Sequence, residues 1–483
     1  MFTTQLLSAG QAIAAEKSAT FTRANPLSGD TVTTAAAASA GDANAAADAA
    51  GRAFAAWSQT GPGARRAKLL KAAELMESRQ GDFIDRMVSE TGATPGWAGF
   101  NVKVAADVLR EAAALTTQIH GDVIPSNVPD SMAMGVRVPC GVVVGIAPWN
   151  APIILGTRAI ATPLACGNSV ILKASEQCPA THHLIGEVLQ EAGLGDGIVN
   201  VITNAPDDAA DVVSALVAHP AVRRINFTGS TGVGKIIAEQ AAKHLKPVLL
   251  ELGGKAPFLV LDDADIDAAV DAAIFGAFFN QGQICMSTER LIVDHQVAEA
   301  FVEKLARRAQ ALTAGDPRDE GNTLGTLINS EAGEKLNGLI DDALAKGARL
   351  AAGGKAEGVV MQATVVDGVT SDMRLYSEES FGPVVAVIRV DGEDEAVRIA
   401  NDSEYGLSSA VFSRDSARAM KVAGRLQTGI CHINAPTVHD EPQMPFGGVK
   451  SSGHGRFGGK AGIEEFTELR WITMQLGPRH YPI

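Results

Sequence analysis

Alanine-rich stretches with apolar residues at helical spacing cover 42–57 and 65–79, and the same rhythm continues over 82–90 and 102–120. Apolar positions recurring every three or four residues put one face of a helix against a core, so each stretch predicts a packed helix. The rhythm then breaks. Residues 121–137 are polar and punctuated by proline, and beyond them the apolar runs become short and β-branched. Gly141-Val142-Val143-Val144-Gly145-Ile146, Ser169-Val170-Ile171-Leu172, Ile198-Val199-Asn200-Val201-Ile202 and Arg224-Ile225-Asn226-Phe227 read as strands, with helices between them from near Pro152, over 181–192 and near 209–217. Continuous runs rather than alternating ones are the mark of strands buried on both faces, and strands alternating with helices predict a parallel sheet. A second series starts after Gly253-Gly254. Its strands lie at 258–261, 290–293 and 384–388 and its helices at 266–279, 297–312 and 393–401.

Length turns this pattern into an architecture. A chain of 483 residues exceeds what one hydrophobic core organises, so the expectation is α/β: two doubly wound Rossmann-like domains with a cleft between them. The boundaries expected are 1–121 with 141–251 for the first domain and 252–445 for the second, with 122–140 and 466–483 outside both. No fixed-period repeat and no low-complexity linker interrupts the chain.

Charge and cysteine usage exclude several classes. Acidic side chains number 55 against 41 basic ones, a net −14 without any basic stripe, which disfavours nucleic acid and anionic membrane as partners. Cys140, Cys166, Cys178, Cys285 and Cys431 are odd in number and scattered, with no spacing that suggests a disulfide framework or a metal site. The first residues lack a basic leader, and the long apolar stretch 142–172 carries Arg158, asparagines and prolines that a spanning helix tolerates poorly. A cytoplasmic protein without a metal is expected.

The candidate chemistry centres on Cys285, displayed in Asn280-Gln281-Gly282-Gln283-Ile284-Cys285-Met286-Ser287 among glycine and amide side chains. By itself this thiol reads more readily as a small buried hydrophobe than as a nucleophile. Phe227-Thr228-Gly229-Ser230-Thr231-Gly232 follows a strand and opens a helix, where glycine lets the backbone approach a phosphate; a tight turn without a ligand is the plainer reading. Glu251 lies about where a ribose-binding acid would follow that turn, yet it ends an apolar run against Gly253-Gly254. A carboxylate desolvated there has a raised pKa and suits a general base, although a cap or ion pair would also account for it. Lys173-Ala174-Ser175-Glu176, at the carboxyl end of a strand, is the better ribose candidate. Asn150, in Pro148-Trp149-Asn150-Ala151-Pro152, could cap a helix or aim its amide at an oxyanion.

Taken together these segments resemble the aldehyde dehydrogenase superfamily over essentially the whole chain. Glu251-Leu252-Gly253-Gly254-Lys255 looks like the family's glutamate signature and Asn280 to Cys285 like its cysteine signature. Glu379-Ser380-Phe381-Gly382-Pro383 and Pro445-Phe446-Gly447-Gly448-Val449-Lys450 match in order and spacing. The resemblance implies Cys285 as nucleophile, Glu251 as base and Asn150 as oxyanion donor. It further implies an NAD site from Trp149, Lys173, Glu176, Gly229, Ser230, Glu379 and Phe381, with NADP less favoured because Glu176 would repel a 2′-phosphate. Ala174, where proline is commoner, and Gly232, which loosens the phosphate turn, are the departures.

Gly92-Ala93-Thr94-Pro95-Gly96-Trp97-Ala98-Gly99-Phe100-Asn101 and 432–442 are similar to the branch that acts on vanillin, salicylaldehyde and benzaldehydes. That likeness implies an aromatic slot formed by Trp97, Phe100, Ile284 and Met286, which as bare residues would be core packing. Arg158, alone among apolar neighbours, is either paired structurally or a contact for a ring hydroxyl or methoxy group. The expected reaction is NAD-dependent oxidation of an aromatic aldehyde to the acid, through a thiohemiacetal and a thioester hydrolysed by water. Aliphatic or semialdehyde substrates, a non-catalytic protein on the same scaffold, and a cofactor-free cysteine esterase are the alternatives. The resemblance makes 1–121 with 141–251 the dinucleotide-binding domain and 252–445 the catalytic domain. Residues 122–140 with 466–483 resemble the family's small β oligomerisation arm, which implies a homodimer or homotetramer, since an isolated hairpin is marginal.

Overall fold

A computed structural model describes all 483 residues. Its first large sheet has a parallel centre in the order Val199–Ile202, Ser169–Lys173, Val142–Ile146, Val222–Thr228, Val248–Glu251. Antiparallel strands extend both edges: Leu6–Ser8 and Gln11–Ile13 on one side, Gly453–His454 on the other. The sheet is buried on both faces because successive side chains alternate between two cores. Val143, Val170, Leu172 and Val201 join one cluster with the helices Pro62–Ser78, Pro95–Leu115 and Pro152–Ala165. Val142, Val144, Ile146 and Ile171 join the other, with Ala40–Trp57 and Thr231–Lys243. Each such Val or Leu removed from water contributes about 1.5–3 kcal/mol, which is why the continuous β-branched runs fold as central strands.

The second large sheet is also parallel, in the order Thr364–Asp367, Val384–Val390, Thr288–Asp294, Ala256–Val260, Ser408–Phe412, Ile430–Ile433, with Arg349–Ala352 antiparallel at one edge. It too lies between two cores, one holding Leu259, Ile292 and Ile388 and the other Phe258, Leu291 and Val387. The α/β class and the two doubly wound sheets match the expectation. A third antiparallel sheet joins Thr467–Gln475, Ser131–Pro139 and Asp122–Ile124 at one side of the molecule.

Several elements differ from the pattern read along the chain. The helix expected at 102–120 runs Pro95–Leu115, because Thr94 accepts from the Trp97 N–H and Pro95 supplies the first-turn φ. The strands Phe2–Thr4, Thr20–Ala24 and Thr31–Ala36 form a small sheet of their own, polar enough to carry no periodic signal. The chain also returns after the second sheet: Gly453–His454 pairs with Val248–Glu251, placing 446–465 against the first half.

Candidate active site

The order of the first sheet changes direction at Val142–Ile146, whose two parallel neighbours, Ser169–Lys173 and Val222–Thr228, both come later in the chain and lie on opposite sides of it. Ligands of open α/β sheets bind in the crevice beyond such a switch point. Here a cavity of about 570 Å³ opens between Pro148-Trp149 on one strand end and Phe227-Thr228-Gly229-Ser230 on the next, with Lys173 and Glu176 at its side. Lys173 is buried and reaches Glu176 at 3.5 Å; burial lowers its pKa and the Glu176 charge opposes that. Ser230 is the N-cap of Thr231–Lys243 and accepts from the Val233 N–H at 3.4 Å, so a cap holds the helix start despite Gly232. The lining carries a charged pair at one end and a helix N-terminus at the other, a donor set that fits a dinucleotide.

Glu379 and Phe381 lie outside this cavity's lining and come from the other sheet. The Glu379 carboxylate accepts the Gly254 N–H at 2.8 Å, and the Phe381 ring meets Trp149 edge-on at 5.7 Å. The two halves thus touch where the cavity passes toward the thiol. Burial raises the Glu379 pKa to about 7, helped by the Glu289 charge and opposed by the Gly254 N–H.

Asn150 is not a helix cap. The N-cap of Pro152–Ala165 is Ala151, and no side chain caps that end. The Asn150 Nδ2 donates to the Gln283 carbonyl at 2.9 Å, leaving its second amide hydrogen for the cleft. Its main-chain oxygen accepts from the Trp97 indole at 2.9 Å and from Asn280 Nδ2 at 3.1 Å. Trp97 is therefore more than packing, because it fixes the segment that carries Asn150. The loop ahead of the thiol is held in the left-handed region at Asn280, Gln281 and Gly282 in succession (φ 48°, 54° and 66°). Gln281 and Gln283 both donate to the Thr326 carbonyl, which secures that conformation.

Cys285 is half-buried and free. Burial pushes its thiol well up, Glu251 and Glu379 push it further, and Arg158 opposes them, so the resting thiol is protonated. Glu251 is 2 % exposed and makes no ion pair. One carboxylate oxygen accepts the Gly448 N–H at 3.1 Å, and the other is buried without a partner. Burial raises its pKa to about 8, against the pull of Arg158 and Arg456. A base with one bare oxygen and a pKa near neutrality is equipped to take a proton from water or a thiol. Gly254 permits the approach of this strand end to the nucleophile: a Cβ there would lie 2.3 Å from the Cys285 carbonyl oxygen.

Beside the thiol is a second cavity of about 290 Å³, lined by Asn150, Trp97, Phe100, Arg158, Ile284, Cys285 and Met286. Phe275 and Phe279 complete its aromatic wall, with Trp97 and Phe279 edge to face at 4.8 Å and Phe275 stacked on Phe279 at 4.8 Å. Arg158 has the structural partner expected of a buried charge. It is paired with Asp440 at 2.5 Å and lies over the Phe446 ring, yet it still lines the cavity. Phe275, Phe279, Asp440 and Phe446 were not legible in the sequence, since helix periodicity marks an apolar face without saying which part of it meets a cavity.

Residues 13–472 match the model of the aldehyde dehydrogenase family. The chain is 63% identical to vanillin dehydrogenase of Pseudomonas fluorescens across 483 residues, covering 100% of both proteins. It is 53% identical to salicylaldehyde dehydrogenase of Pseudomonas putida over 96% of each. The crystal structure of a salicylaldehyde dehydrogenase from Pseudomonas putida G7 complexed with salicylaldehyde superposes with a TM-score of 0.99 at 50% identity, covering 100% of both chains.

Proposed function

Because this chain belongs to the aldehyde dehydrogenase family, we propose that it oxidises aromatic aldehydes of the vanillin and salicylaldehyde type to carboxylic acids, with NAD as electron acceptor. The observation that carries this reading is the aromatic slot of about 290 Å³ that ends on the Cys285 thiol and the Asn150 amide. A planar ring between Trp97, Phe100, Phe275 and Phe279 sets its carbonyl carbon against Sγ. Glu251 takes the thiol proton, Sγ attacks, and the oxyanion receives the free Asn150 N–H and the Cys285 main-chain N–H. When bound, the nicotinamide supplies the hydride acceptor. Cys285 then holds the acyl group as a thioester, and Glu251 deprotonates the water that releases the acid.

Lys173 and Glu176 serve the adenosine ribose, Gly229 and Ser230 the pyrophosphate, and Glu379, Phe381 and Trp149 the nicotinamide side. The Glu176 carboxylate accepts from both ribose hydroxyls and repels a 2′-phosphate, which favours NAD over NADP. In this reading 1–121 with 141–251 bind the dinucleotide, 252–445 carry the thiol, and 122–140 with 466–483 join copies into a homodimer or homotetramer. Five free cysteines suit the cytoplasm, and no helix is long and apolar enough to cross a membrane.

A kinetic panel tests the proposal. Vanillin, salicylaldehyde and benzaldehyde are expected to exceed an unbranched aliphatic aldehyde in kcat/KM by about tenfold or more, and NAD to exceed NADP. Equal values across the panel would remove the aromatic assignment, and equal values for the two cofactors would remove the role of Glu176.

A further inference from the structure

We propose that Glu289, clamped by Lys255, is a positioning residue for the nicotinamide half of the cofactor site; this rests on the reading of Glu379 and Phe381 as the groups on that side. Glu289 stands at the start of Thr288–Asp294, a central strand of the second sheet, and its side chain is 5 % exposed. Its carboxylate accepts the Ser380 N–H at 2.8 and 3.0 Å and the Phe381 N–H at 3.0 Å. The fully buried Lys255 ammonium meets the same carboxylate at 2.5 Å and donates to the Ser380 hydroxyl at 3.2 Å. One buried anion thus holds the main chain of two successive residues, and one buried cation holds both the anion and the side chain between them.

The segment held in this way is a strained one. Phe381 sits at φ +55°, a left-handed conformation that a bulky side chain adopts only when its surroundings impose it. The turn aims Glu379 at the Gly254 N–H and the Phe381 ring at Trp149. The first contact meets the link between the two sheets, and the second crosses to the first sheet. Stability alone gives no reason for the pair, because a buried ion pair is commonly matched or bettered by apolar side chains of similar volume. What a buried pair with four hydrogen bonds specifies is a geometry, and the geometry specified here is that of the Glu379–Phe381 turn.

The test separates the two halves of the dinucleotide by calorimetric titration of the full chain with NAD and with ADP, which lacks the nicotinamide riboside. Glu289→Gln puts an amide donor among donors, and the double variant Glu289→Gln with Lys255→Met removes the pair without leaving a buried charge alone. In both, NAD is expected to bind about tenfold more weakly while ADP binds as in the parent. If NAD affinity is unchanged in the double variant, the proposal fails. If NAD and ADP weaken together with a lowered Tm, the pair is structural and the proposal also fails. Glu379→Gln is the control for the underlying reading: if it leaves NAD affinity intact, the nicotinamide side has been assigned to the wrong turn, whatever Glu289 does.

Discussion

At the scale of single residues, Glu251 and Arg158 carry the sharpest expectations. The Glu251 carboxyl, with a pKa raised to about 8 chiefly by burial, must lose its proton before it can activate water. Turnover is therefore expected to climb with pH through about 8, and Glu251→Gln to abolish that limb and, because the residue also takes the thiol proton, to slow the single-turnover burst of NADH. Full turnover in the variant would remove the residue from its role. The same raised pKa has a stability consequence of definite sign. The folded state binds this proton more tightly than the unfolded chain, so stability falls as pH rises from the ordinary carboxyl range toward 8. Glu251→Gln should accordingly melt higher than the parent above pH 8. Arg158→Leu should lower kcat/KM for hydroxylated benzaldehydes more than for benzaldehyde, because it also strands Asp440 at the polar end of the slot. Proportional losses on both would make Arg158 purely structural. Cys285, Glu251 and Asn150 stood out in the sequence because glycines and amides around them broke the apolar rhythm. Asp440 did not stand out, since its partner lies 282 residues away.

At the scale of elements, the polar groups of the site sit at or just beyond the end of a strand or on a loop that leads into one, apart from Arg158 on the helix Pro152–Ala165. Strand ends were legible wherever the strand was central and apolar, as at Val142–Ile146 and Ser169–Lys173. They were not legible at Leu6–Ser8 or Gln11–Ile13, which are three residues each, too short for a period to show, the second of them also exposed at the sheet edge. The turn after Val248–Glu251 is a tight junction. Gly254→Ala would drive a methyl into the Cys285 carbonyl oxygen, and main chain cannot yield as a flexible side chain can. Displacement of the nucleophile by about 1 Å is enough to lower the rate about 100-fold. Single-turnover NADH formation is the measurement, and a parent-like rate would show that the loop absorbs the methyl.

For the molecule as a whole, the third sheet is the part that makes least sense in isolation. Trp471 is 77 % exposed, Leu469 65 % and Val123 73 %, on a sheet whose outer strand Thr467–Gln475 has one free edge. Exposed apolar side chains on an open strand edge are an aggregation hazard unless another chain covers them. Trp471→Glu is expected to shift the protein to a smaller assembly by light scattering; an unchanged mass would place the interface elsewhere. An arm was legible through the resemblance of 122–140 and 466–483 to the family. The sequence could not show the nine-residue register with Ser131–Pro139, because antiparallel partners so distant in the chain leave no local pattern.

The return of 446–465 to the first half bears on how such a protein is made. Gly448 supplies the N–H that holds Glu251, Phe446 closes the slot beside Arg158, and Gly453–His454 pairs with the strand carrying the base. A nascent chain that has emerged only as far as the second sheet already contains Cys285, Glu251 and Asn150, but its base is not yet held and its slot is still open. The surroundings of Glu251 and the slot are therefore complete only once residues 446–454 have docked on the first half, so the order in which the two halves fold bears directly on when the thiol gains its neighbours.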